Sequence, residues 1–154
     1  MIASILRDVL LGLACAGIAY QLAGAWLVRG ALTGASTGDS HTSVTLLKPL
    51  HGAEPRLAAN LGGYLQQRYR GPVEIVFGLQ SSDDPAHAAV AACRAATPGA
   101  RLALVCDARR HGSNAKISNI VNMMAEAHND ILVVSDSDMA VTPDYLSRVV
   151  TALE

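Results

Sequence analysis

Val9 to Val28 is a run of twenty residues without a charge, and Gln21 is its only strongly polar side chain. Wound as a helix at 1.5 Å per residue, the run is about 30 Å long, the thickness of a bilayer's hydrocarbon core. Trp26 stands near one end, where an interfacial indole is expected. Arg7 and Asp8 bound one side and Arg29 the other. The pattern predicts a membrane anchor over residues 1–29. The rival reading is a signal peptide, with Ala23-Gly24-Ala25 mimicking a cleavage site. Gly30 to Thr42 is rich in Gly, Ser and Thr and reads as a linker.

From residue 43 to residue 154 the pattern changes. Short apolar runs alternate with longer segments of helical character. Val44–Leu47, Val73–Leu79, Leu102–Val105 and Ile131–Ser135 read as strands. Arg56–Arg68, Ala86–Ala96 and Ala115–Ala127 read as helices, and Pro143 opens a last one. On the third helix Ile117, Ile120, Val121 and Met124 share a face. Strict β-α alternation predicts an α/β domain with a mostly parallel sheet and helices on both faces.

In such a sheet, ligands bind beyond the carboxyl ends of the strands. The polar residues gather there. Glu54 lies beyond the first strand, Asp83 and Asp84 beyond the second, Asp107, Arg109 and Arg110 beyond the third, Asp136 and Asp138 beyond the fourth. Asp136-Ser137-Asp138 places two carboxylates at a buried strand's exit, a pattern suited to holding Mg²⁺ or Mn²⁺ against a diphosphate, although D-x-D also occurs in solvated turns. Gly112-Ser113-Asn114-Ala115-Lys116 opens the third helix and suits either a phosphate at a helix start or an ordinary N-cap with a solvated lysine. Its spacing is neither a Walker A loop nor a dinucleotide fingerprint. Asp83-Asp84-Pro85 suits either a helix cap or a carboxylate facing a nucleobase N–H, and Arg109-Arg110-His111 either a solvated loop or a phosphate contact.

Composition removes other classes. A net charge of -1 and only 4% aromatic residues argue against a nucleic-acid partner. Cys93 and Cys106 form no C-x-x-C pair and read as buried free thiols, and the His residues lack zinc-binding spacing.

Four segments in order resemble one family. Leu46-Leu47-Lys48-Pro49-Leu50-His51-Gly52-Ala53-Glu54-Pro55, Gln80-Ser81-Ser82-Asp83-Asp84-Pro85-Ala86, Asn114-Ala115-Lys116-Ile117-Ser118-Asn119 and Ser135-Asp136-Ser137-Asp138 resemble the motifs of ceramide glucosyltransferase-like enzymes. These are GT-A fold glycosyltransferases of the family 2/21 type. Asp107-Ala108-Arg109-Arg110-His111-Gly112 and the full Asp-Ser-Asp look most like the bacterial hopanoid-biosynthesis members. The resemblance implies an inverting, metal-dependent transfer from a UDP-sugar to a lipid hydroxyl. N-acetylglucosamine to a hopanoid is the first expectation, and glucose to ceramide or an inactive membrane-anchored nucleotide-binding module are the alternatives. It implies that Asp84 contacts the uracil, Glu54 lies by the nucleoside, Lys116 holds the nucleotide-sugar, Asp136 positions the sugar or ribose, and Asp138 binds the metal. It further implies a bacterial inner-membrane location with a cytoplasmic catalytic domain. The family's general-base aspartate, its Q/R-x-x-R-W motif and further membrane helices are not found in residues 1–154. The chain therefore reads as the nucleotide-binding half of a glycosyltransferase, either a fragment or a truncated, inactive protein.

Overall fold

The computed structural model describes residues 2–34 and 38–154 and divides into two compact units, residues 1–36 and 37–154. In the first unit, helix α1 (Ile2–Gly34) includes Ser4–Gly30, 27 residues long and apolar enough to cross a membrane by length and composition. Arg7 and Asp8 pair on its surface at 2.9 Å. The helix runs five residues past the expected anchor, so the start of the predicted linker is helical. Its middle, residues 35–37, lies outside the described residues. Residues 38–42 are tied down rather than free. Gly38 N–H donates to Thr151 Oγ1 (2.9 Å), and Thr42 Oγ1 donates to Glu154 (2.7 Å).

The second unit runs β1 (Val44–Pro49), α2 (Leu57–Leu65), β2 (Val73–Leu79), α3 (Ala86–Ala96), β3 (Arg101–Cys106), α4 (Ala115–Met123), β4 (Ile131–Val134) and α5 (Tyr145–Leu153), with a 3₁₀ turn at Met124–Glu126. The four strands form one parallel sheet in the order β3-β2-β1-β4. The chain steps outward from β1 to β3 and then returns to the other side of β1. Strand order therefore reverses between β1 and β4, and a crevice opens there at the carboxyl edge.

Alternation along the strands sorts two cores. Val44 and Leu46 of β1, Ile75, Phe77 and Leu79 of β2 and Val133 of β4 pack with Leu57, Leu61 and Tyr64 of α2, Val90 and Cys93 of α3, and Leu146 and Val150 of α5. Leu47 and Val76 meet Met123 of α4 on the opposite face. Helix α4 lies over β1 and β2, which leaves Leu132 and Val134 of edge strand β4 exposed on that face.

Two expectations need correcting. The third helix ends at Met123 as an α-helix, and its buried face is Ser118, Asn119, Asn122 and Met123; of the four apolar residues that share a face, Ile120 packs partly buried against the core while Ile117, Val121 and Met124 are exposed. The side-chain amides win because backbone carbonyls at the strand ends need donors: Asn119 donates to Gly78 O (2.9 Å) and Asn122 to Asp107 O (3.1 Å) and Arg109 O (3.0 Å). Cys93 is buried as expected, but Cys106, at the end of edge strand β3, is exposed.

The amino edge of the sheet is closed by a polar cluster. The carboxylate of Glu74, nearly buried in β2, accepts from Thr45 Oγ1 (3.0 Å), His128 N–H (3.1 Å) and His128 Nδ1 (2.8 Å). Asn129 in turn donates through its backbone N–H (3.3 Å) and Nδ2 (3.0 Å) to Thr45 Oγ1. Burial pushes the Glu74 carboxyl up, but the hydrogen bonds from His128 and Thr45 outweigh it and hold the group below its ordinary 4.5. A depressed carboxylate stabilises the fold above its unfolded pKa, and that contribution is lost as the pH falls through the folded value. Glu74→Ala should therefore cost about 2–4 kcal/mol in urea unfolding at pH 7, because it orphans buried partners. The gap to wild type should shrink as the pH falls below 4.5. A loss under about 0.5 kcal/mol at pH 7 would show that the cluster does not hold this edge.

Candidate functional site

At the crevice between β1 and β4 lies a cleft of about 510 Å³. Each strand exit contributes to its wall: Pro49, Leu50, His51 and Glu54 at the end of β1, Gln80 after β2, Arg110 after β3, and Asp136 to Asp138 after β4, with Ala115, Lys116 and Asn119 from the first turns of α4. Asn114 starts that helix by accepting the Ile117 N–H on Oδ1 (3.1 Å), which fixes the direction of its N-terminus.

The acidic loop is braced from below. Helix α2 buries two polar residues toward it: Asn60 Nδ2 donates to Ser137 O (3.4 Å), and the Tyr64 hydroxyl bonds to Ser135 Oγ. Ser137 Oγ donates to Glu54 Oε1 (2.7 Å), joining the loops after β1 and β4. The other oxygen, Glu54 Oε2, is buried without a partner. Lys116 crosses the cleft to pair with the Asp136 carboxylate, both side chains being about half exposed. Asp138 stays exposed at the rim.

Of the five residues singled out from sequence, Glu54, Lys116, Asp136 and Asp138 line the cleft together. Asp84 does not. It is buried, its Oδ1 accepts from Gly52 N–H (2.9 Å) and Ala86 N–H (2.9 Å), and its Oδ2 lies 3.3 Å from His51 Nδ1. It thus ties the loop after β1 to the start of α3. Of the basic patch, Arg110 lines the cleft, whereas Arg109 folds back on Asp107 (Nε to Oδ2 2.7 Å).

Sequence reasoning missed Lys48, the largest fully buried side chain. Its ammonium sits 3.9 Å from the centre of the Tyr64 ring and donates to Ser135 Oγ (3.4 Å) and to the carbonyl of Asp136. It lies under the acidic loop as a fixed countercharge. Burial drives its pKa down to about 8, against the opposing pull of Asp136, Asp138 and Glu54. The available signal was a lysine in an apolar strand, immediately before a proline.

No three His, Cys, Asp or Glu side chains among the described residues converge as a preformed cation cage. The oxygen set fits a divalent cation nonetheless. Mg²⁺ and Mn²⁺ are commonly held by one or two carboxylates with the remaining positions filled by phosphates and water. The exposed Asp138 carboxylate supplies that kind of donor.

The parallel sheet with its acidic loop at the β1/β4 reversal is shared with glycosyltransferases of the GT-A fold, as the comparisons with known proteins bear out. Residues 9–154 match glycosyl transferase family 21, and the chain belongs to that family. It is 31% identical over 131 residues to the ceramide glucosyltransferase of Pyricularia oryzae, covering 76% of this chain and 26% of that protein. It is 24% identical to ceramide glucosyltransferase 1 of Caenorhabditis elegans, covering 71% and 23%. The chain thus spans about a quarter of the length of these curated relatives. Among solved structures it resembles the mannosyltransferase PcManGT from Pyrobaculum calidifontis, crystallised with GDP-Man and Mn²⁺, with a TM-score of 0.67 at 22% identity over 93% of this chain and 42% of that one. It also resembles S. aureus TarS 1-349, with a TM-score of 0.56 at 18% identity over 71% and 32%.

The depressed Lys48 pKa generates a stability test. Between pH 8 and 10.5 the unfolded chain holds a proton on this lysine that the folded chain has released. Stability from this group therefore rises with pH in that window. Lys48→Met removes the titrating group, so wild type should gain about 2 kcal/mol on the variant between pH 7.5 and 10 in parallel urea titrations. Stability curves that stay parallel would contradict a buried ammonium at this position.

Proposed function

We propose that the chain is the donor-binding part of a membrane-anchored, metal-dependent, inverting glycosyltransferase that moves a sugar from a UDP-sugar to a lipid hydroxyl. The observation that carries the reading is the convergence of Glu54, Lys116, Asp136 and Asp138 on one cleft at the strand reversal. They arrive from three separate segments of the sequence.

In this reading Asp138 holds a divalent cation, as the Mn²⁺ bound with GDP-Man in PcManGT supports. That cation neutralises charge on the leaving diphosphate. Lys116 and Arg110 face the same anion from the opposite wall, and Lys116 exchanges its pairing with Asp136 for the donor. Asp136, released in that exchange, positions the sugar or ribose. Glu54 presents its unpaired oxygen to the nucleoside. Asp84 acts on the uracil end through the Gly52 loop that it holds. Lys48, Tyr64 and Asn60 keep the acidic loop in place before the donor arrives, so little reorganisation accompanies binding.

The segment Asp107 to Gly112 and the full Asp-Ser-Asp support a hopanoid acceptor and N-acetylglucosamine as the sugar. Glucose transfer to ceramide is the second reading, supported by the names of the two relatives. Helix α1 would anchor the domain in the bacterial inner membrane, and Arg29 at the start of the larger side supports a cytoplasmic placement.

Calorimetry of UDP binding tests the core of this. Affinity should depend on Mn²⁺ or Mg²⁺, and Asp138→Ala should remove the metal-dependent part, about 2 kcal/mol or more, while the melting temperature stays within a few degrees. Equal UDP affinity with Mn²⁺ and with a chelator would contradict the metal role.

A further inference from the structure

The loop between β3 and α4, residues 107–114, carries the basic patch, and its first half is pinned at every second residue. Asp107 N–H continues the strand ladder by donating to Leu79 O (2.9 Å). The Asp107 carboxylate accepts Arg109 N–H on Oδ1 (2.9 Å) and Arg109 Nε on Oδ2 (2.7 Å). His111 N–H donates to Ser118 Oγ (3.0 Å), and that hydroxyl donates in turn to Asn114 O (3.0 Å). Arg110 sits between these fixed points. Among the described residues its side chain has no hydrogen-bond or ion-pair partner, and it lines the cleft.

One side chain ties the three fixed points together. Asn122, 4% exposed on the buried face of α4, donates its two Nδ2 hydrogens to Asp107 O (3.1 Å) and Arg109 O (3.0 Å). With the nitrogen so committed, Oδ1 is the acceptor in the 2.8 Å contact with His111 Nε2, and that ring nitrogen carries the proton. A single amide thus bonds residues 107, 109 and 111, on both sides of Arg110. Burying an amide is costly unless it is bonded, and here its bonding capacity goes to one loop. An apolar residue at position 122, beside buried Met123, would fill the space and hold nothing. The Asp107 carboxylate meanwhile draws Arg109 back, so Arg110 is the arginine of the patch that reaches the cleft.

We propose that Asn122 is a positioning residue for the donor's diphosphate: by holding the backbone at 107, 109 and 111 it delivers the Arg110 guanidinium to the cleft. The assignment rests on the nucleotide-sugar reading above. An arginine on a slack loop would have to order that loop when the anion arrives, and the ordering cost would be taken from the affinity. A loop fixed beforehand avoids that cost and keeps the charge aimed where the diphosphate lies. The two walls of the cleft follow one logic. Lys48, Tyr64 and Asn60 brace the acidic loop from below, and Asn122 with Ser118 braces the basic one.

The test titrates the full chain, in detergent with Mn²⁺, against UDP and against uridine, which lacks the diphosphate. Arg110→Ala should weaken UDP on the order of tenfold and leave uridine unchanged. Asn122→Ala should weaken UDP about fivefold, again with uridine unchanged, and the double variant should bind UDP no more weakly than Arg110→Ala alone. A purely structural role would not confine the loss to the diphosphate or make it depend on Arg110. Because Asn122 is buried, His111→Ala supplies a second variant at an exposed residue and decides the matter should Asn122→Ala not fold. It removes one of the three bonds and should weaken UDP about twofold to threefold, only while Arg110 is present. Losses that fall equally on UDP and uridine, losses that add fully to Arg110→Ala, or UDP affinity unaltered by Arg110→Ala or by both other variants would overturn the assignment and leave the nucleotide site standing. Failure of wild type to bind UDP at all would overturn the nucleotide reading itself, and this assignment with it.

Discussion

Lys48 is the last residue but one of β1, the strand that pairs with both β2 and β4. Its ammonium is enclosed beneath the loop that follows β4, on the Tyr64 ring, with Ser135 and the Asp136 carbonyl as acceptors. Taking a lysine fully out of water is costly unless it is paired and hydrogen-bonded. Here three carboxylates, Asp136, Asp138 and Glu54, offset part of the cost, and burial still outweighs them. The dependence is mutual. Without a cation beneath them, Asp136, Asp138 and Glu54 would gather with only Lys116 and Arg110 of the opposite wall to balance them. The acidic cleft and the buried lysine therefore lower each other's cost, and both require β1 and β4 to be neighbours.

The two edges of the sheet use polar groups in opposite ways. At the amino edge Glu74, Thr45, His128 and Asn129 satisfy one another and fix the turns. At the carboxyl edge Glu54, Gln80 and Asn119 each keep one atom unsatisfied. A closed network stabilises, whereas an open one is poised to receive a partner. This asymmetry is an argument for function that does not depend on any relative.

Much of this was legible in the sequence. The β-α alternation, the strand exits and the parallel sheet follow from apolar runs bounded by Pro and Gly, and four of the five singled-out residues meet in the cleft. What stayed hidden depends on pairing between distant segments. A lysine after Leu46-Leu47 reads as a strand leaving the core until Ser135, 87 positions away, is brought against it. On α4, the apolar spacing of Ile117, Val121 and Met124 points to a core face that the structure leaves exposed. The asparagines take that place because carbonyls of Gly78, Asp107 and Arg109 need donors, a demand visible only once the strands end beside them. Asp84 shows the converse: its cap at Ala86 was legible, while its hold on Gly52 was not.

The central claim is that one cleft, at the β1/β4 reversal, receives a metal-bound nucleotide. Paramagnetic broadening measures this in place. With UDP present, substoichiometric Mn²⁺ should selectively broaden the NMR signals of Glu54, Lys116 and Asp136 to Asp138, and leave those of Glu74 and His128 at the opposite edge sharp. Broadening centred on the Glu74–His128 edge, or spread evenly over the surface, would contradict the account.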